Sequence, residues 1–152
     1  MKKSFIFISN SFGGIKTFQN TLIEFLIDYK LDCFLIDREN YKKKHKKIKF
    51  FKLNVLDEVF QTFKILKKIS KQNKNKKSIF ILSNPVILVT YFIYIKLFFK
   101  ESKIFFFSHS HLTKKKFILL IFNFISSFIF LFLNKVFYVS KFTKRWWEKN
   151  FY

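Results

Sequence analysis

The chain has 152 residues, half of them apolar, a length for one domain or at most one and a half. Two glycines, one proline and one cysteine exclude a collagen-like repeat, a Pro/Gly-rich linker and a disulfide framework. The net charge of +21 comes from 30 cations against 9 acids, which by itself suggests nucleic acid or an anionic membrane. Only Arg38 and Arg145 among those cations are arginine, alanine is absent, and phenylalanine reaches 26. Lys, Phe, Ile and Asn share AT-rich codons, so lysine reads as the default solvated surface residue. A nucleic-acid partner is not expected, because bidentate contacts to bases and phosphates favour arginine. Attraction to an anionic leaflet follows from the charge whatever its origin. Cys33 alone cannot build a Cys/His zinc cluster and reads as a small core hydrophobe in a reducing cytoplasm.

In chain order, Ser4–Asn10 is a short apolar run ending in turn formers and reads as a buried strand. Phe5–Ile8 is too short for the apolar region of a signal peptide. Ser11–Gly14 follows as a loop. Ile15 to Tyr29 reads as an amphipathic helix, with Ile15, Phe18, Leu22, Phe25, Leu26 and Tyr29 on one face and Lys16, Asn20, Glu24 and Asp28 on the other. Asp32–Asp37 is a second strand, Arg38–Lys47 a basic loop, and Ile48–Leu53 a third strand. Val55–Ser70 is expected to be a helix, with Leu56, Val59, Phe60, Phe63 and Leu66 inward. Ile79–Leu82 is a strand, Ser83-Asn84-Pro85 a turn into a helix over Pro85–Phe99, and Lys103–Phe107 another strand. Phe117–Asn134 is uncharged for 18 residues, long enough to span a bilayer, with Asn123, Ser127 and Asn134 on one helical stripe. Lysines flank both ends of it and give no orientation signal. It is expected to be a buried or membrane-surface helix, with a spanning helix as the alternative. Lys135–Val139 is a last strand and Lys141–Asn150 begins another helix.

Strands alternating with helices predict an α/β fold with a parallel sheet, and the near-continuous apolar strands predict a sheet covered on both faces. Ligands of such sheets bind at the carboxyl ends of the strands. That rule singles out the loop after the first strand, the histidine pair after Phe107, and Ser140. Gly13 and Gly14, the only glycines, fall between a strand and a helix, where a backbone can approach a ligand and free N–H groups face an anion. The same placement also serves a turn that needs positive φ. Neither a Gly-x-Gly-x-x-Gly fingerprint nor a Walker loop is present. His109 and His111 could hydrogen-bond a sugar hydroxyl, orient a phosphate, act as general base, or serve as plain loop residues. A metal site is not expected, since no third ligand stands at a suitable spacing. Ser140 could cap the next helix or touch a ligand in the cleft. Trp146 and Trp147 beside Lys144, Arg145 and Lys149 form an aromatic-basic cluster suited to a membrane interface or to packing on another domain.

Three segments together carry a family resemblance. Ile6–Asn10 with Phe12-Gly13-Gly14, Ile104–Phe107 with His109-Ser110-His111, and Lys135–Ser140 with Thr143-Lys144-Arg145 resemble, in order and spacing, the N-terminal half of a family 4 type glycosyltransferase of the two-domain GT-B fold. The resemblance implies that 1–152 is a Rossmann-like acceptor-side domain, incomplete at its C-terminus, with helices on both faces of a parallel sheet. It implies Gly13, Gly14 and Ser140 as substrate-binding residues and His109 or His111 as the cleft histidine, with no metal and no cofactor beyond a nucleotide-sugar substrate. It further implies a lipid-linked or glycan acceptor, a separate C-terminal donor-binding domain as partner, and a peripheral location at the cytoplasmic membrane face. The donor site and the family's paired glutamates have no counterpart before Tyr152. The chain is therefore expected to be a truncated product, a remnant or one half of a split transferase, and to be inactive alone.

Overall fold

A computed structural model of the chain describes residues 3–9, 14–38, 48–54, 56–73, 76–99, 101–108, 121, 125 and 128–151; side chains at 14, 146, 147, 150 and 151 are outside the description. Among the described residues, six strands form one sheet: β1 (Lys3–Ile8), β2 (Asp32–Asp37), β3 (Ile48–Lys52), β4 (Lys77–Leu82), β5 (Lys103–Ser108) and β6 (Lys135–Tyr138). Their order is β3-β2-β1-β4-β5-β6, and every pair is parallel. Among the described residues the helices with both ends defined are α1 (Gly14–Asp28), α2 (Glu58–Gln72), α3 (Pro85–Phe98) and α4 (Lys141–Phe151). This is the α/β, Rossmann-like parallel sheet that the alternation predicts. The strand order reverses between β1 and β4, the topological switch point of such sheets.

Pleating sends alternate residues of each strand to opposite faces, and each face carries its own core. Ile6, Ile8, Phe34, Ile36, Phe80 and Leu82 pack under α2 and α3 together with Leu66, Ile69, Tyr91 and Ile95. Phe7, Cys33, Leu35, Ile79 and Ile81 pack under α1 through Ile23, Leu26 and Ile27. Helices therefore cover both faces. At the amino ends of the central strands, Asn73 Nδ2 donates to Ser4 Oγ at 2.9 Å, and Ser4 Oγ lies 3.4 Å from Ser78 Oγ, so these buried polar groups satisfy one another.

The inward faces of two helices differ from the sequence expectation. On α1 the buried stripe runs Gln19, Ile23, Leu26 and Ile27, while Phe25 and Tyr29 are exposed and rest on each other, centroids 4.7 Å apart. Two apolar ladders compete on this helix, and the isoleucine ladder wins the sheet. On α2 the helix begins at Glu58, and Leu56, Val59 and Phe60 are exposed; Thr62, Leu66 and Ile69 face the core. α1 ends with Lys30 at φ 56°, its N–H donating to Ile27 O while the Leu31 N–H donates to Leu26 O. That is a left-handed helix stop where glycine is the usual residue.

The end of the 117–134 run is anchored to the sheet. Residues 128–130 are helical, the chain turns at 131–132, and Ile129 is buried in the α2–α3 core. Asn134 then pairs with β5 on both sides of its backbone: its N–H donates to Ile104 O at 3.1 Å, and its Oδ1 accepts from Ile104 N at 2.8 Å. Asn134 thus serves β5 and not a helical polar stripe. Among the described residues, no helix is long and apolar enough to cross a membrane.

Candidate functional site

All six strands run the same way, so their carboxyl ends form one rim. Four helices start there, directly after β1, near β3, after β4 and after β6. Each brings N–H groups and the positive end of its dipole to that side of the molecule, a setting that favours an anionic ligand. The central part of the rim is built from β1, β4 and β5. Only β4 separates β1 from β5, so their ends stand about 10 Å apart at the usual inter-strand spacing.

From β1, Ser9 is buried and its N–H donates to Ile36 O at 2.9 Å, extending the β1–β2 ladder by one step. Gly14 opens α1, so the loop between strand and helix is short. From β2, Asp37 is 3% exposed, and its backbone carbonyl accepts from Leu53 N at 2.9 Å. Burial pushes the Asp37 carboxyl up to about 6, while Lys16 in the first turn of α1 and the Arg38 backbone N–H pull the other way. Arg38 donates from Nε and Nη2 to Glu58 Oε2, tying the end of β2 to the start of α2. Arg38 is therefore part of the folded rim, whereas the sequence places it in a basic loop.

From β4, Asn84 Oδ1 accepts from Val86 N at 2.8 Å and caps α3, with Pro85 in the first turn. Ser83 beside it is buried. From β5, Ser108 is 1% exposed, and its Oγ has no hydrogen-bond partner among the described residues. The register puts it on the α2–α3 side of the sheet, with Ile104 and Phe106. From β6, Ser140 Oγ accepts from Thr143 N at 3.0 Å and lies 2.9 Å from Thr143 Oγ1, so Ser140 is the N-cap of α4. The capping reading of Ser140 thus holds, and its exposed position leaves it on the rim.

Of the residues singled out from sequence, Gly14 and Ser140 both lie at the carboxyl rim, at the starts of α1 and α4. Gly13, His109 and His111 lie outside the described residues, as does half of the 117–134 run. Asp37 is marked in the sequence only by its place as the last residue of the second strand, after the apolar run 33–36. The Arg38–Glu58 pair was missed, since 20 positions separate its members. Among the described residues, no group of three His, Cys, Asp or Glu side chains is placed to hold a metal. A scan against family models and a search of curated proteins both find no match to the chain.

Proposed function

We propose that this chain is the acceptor-side half of a GT-B type sugar transferase, resembling family 4. It would act with a second, donor-binding domain on a nucleotide-sugar and a lipid-linked or glycan acceptor, peripherally at the cytoplasmic face of the membrane. The observation that carries the reading is the sheet order with its reversal at β1 and β4. It sets the glycine-led start of α1 one strand away from the end of β5, after which His109 and His111 follow in sequence. In this scheme Gly13 and Gly14 let the backbone approach the ligand, and the α1 N-terminus favours its phosphate. His109 or His111 takes the proton of the acceptor hydroxyl as its oxygen bonds to the anomeric carbon, and the nucleoside diphosphate departs with the electron pair of the broken bond.

The test is transfer from UDP-N-acetylglucosamine and UDP-glucose to a polyprenyl-diphosphate-linked sugar, with and without a donor-domain polypeptide. The chain alone shows no turnover; with the donor half, turnover appears and falls at least about 100-fold in the variant carrying both His109→Ala and His111→Ala. Turnover by the purified chain alone, or full turnover in the double variant, overturns the proposal. A spanning helix over 117–134 is the second reading. The burial of Ile129 and the pairing of Asn134 with Ile104 favour packing on the sheet instead.

A further inference from the structure

α3 is apolar on its outer face as well as its inner one. Val86, Ile93 and Leu97 are 53%, 69% and 66% exposed, and their spacing of seven and four residues lines them up along one side of the helix. The stripe is about 16 Å long. Next to it lies α2: Tyr94 Oη of α3 donates to Phe63 O at 3.0 Å, and the two rings are 4.4 Å apart. The exposed side of α2 carries Lys64, Lys67, Lys68 and Lys71, and α3 adds Lys96. The one acid on these two helices, Glu58, is held by Arg38. α1, on the other face of the sheet, has one lysine against Glu24 and Asp28. The α2–α3 layer is thus strongly basic beside the apolar stripe, whereas α1 on the opposite face is not.

From this arrangement we propose that the α2–α3 layer is a docking surface for a bilayer with anionic headgroups, with the α3 stripe seated in the interface and the α2 lysines on the headgroups. Lysines beside an exposed apolar stripe are the composition that binds in the plane of a lipid interface. The charge decides between occupants. Two copies at +21 each repel one another across such a face, whereas an anionic surface attracts it. The inference names the face that would carry the peripheral location proposed above; its observations, the lysines and the stripe, stand apart from sugar transfer, and vesicle binding fails or succeeds separately from turnover.

The experiment is co-sedimentation of the full chain with vesicles of phosphatidylcholine alone and with vesicles containing phosphatidylglycerol as well. The chain binds the anionic vesicles and binds neutral ones far less. The double variant Ile93→Ser with Leu97→Ser lowers the anionic partition about tenfold or more. Lys67→Glu with Lys68→Glu lowers it at least 25-fold, at about fivefold per lysine. Phe25→Ser on α1, also an exposed apolar residue, leaves it unchanged. Circular dichroism confirms that each variant is folded. Equal binding by all four proteins overturns the proposal, as does absence of binding by the unaltered chain. So does a concentration-dependent dimer that the stripe variant abolishes while vesicle binding persists, which assigns the stripe to a second copy.

Discussion

Asp37 makes stability depend on pH in a way that one substitution isolates. Its carboxyl is buried at the end of β2 and ionises near pH 6 in the folded chain, against an ordinary value of 3.8. Below about pH 4 both states hold the proton, and Asp37 contributes no difference. Between pH 4 and 6 the unfolded chain sheds the proton and the folded chain keeps it, so stability falls by up to about 1.4 kcal/mol per pH unit. Above pH 6 the loss is complete, at about 3 kcal/mol. Asp37→Asn removes the ionisation and keeps the volume. Urea unfolding followed by circular dichroism from pH 4 to 8, parent against variant, cancels every other titrating group. The two proteins are expected to be similar at pH 4, with the variant gaining about 3 kcal/mol relative to the parent by pH 8, a figure in which the Lys16 attraction is already included. Parallel curves for parent and variant across this range would refute the assignment.

Two further outcomes follow from the packing. Cys33 is buried against α1 and desolvation pushes its thiol up to about 12, so it should resist a thiol reagent at pH 8 in the folded chain and react fully in urea; rapid labelling of the native chain contradicts this. Ile129→Ala should cost about 2–5 kcal/mol of stability, because it empties a core position under α3. An unchanged unfolding midpoint would mean that the end of the 117–134 run does not pack on the sheet.

The sheet was legible because its strands are short, apolar and bounded by turn formers; Asp32–Asp37 was read to the residue. The parallel class followed from the alternation of strands and helices, but the order of strands did not, since periodicity carries no information about which strands pair. Helix faces were read less well where apolar residues outnumber the positions a sheet can cover. α3 is greasy all round, so no pattern marks which side is outward. On α1 the periodicity points to the ladder containing Phe25 and Tyr29, and only packing against Phe7 and Leu35 shows that Ile23 and Ile27 face the sheet. At the rim, Ser140 was legible as a cap because its hydroxyl acts three residues along the chain. Arg38 and Glu58 were not, because their pairing depends on where β2 delivers its end relative to α2.

In the proposed site the glycine turn and the imidazoles share one rim, and a distance tests that directly. The single native thiol is buried and silent, so cysteines placed at Gly13 and His109 can be addressed alone. With the ends of β1 and β5 about 10 Å apart, a short bismaleimide should join the two within one chain, giving a faster-migrating species in denaturing electrophoresis after protease-free workup. Each single variant should give none. Failure of the folded double variant to cross-link, while a cysteine pair at Gly13 and a residue of the opposite rim such as Ser102 does so, would contradict the shared site.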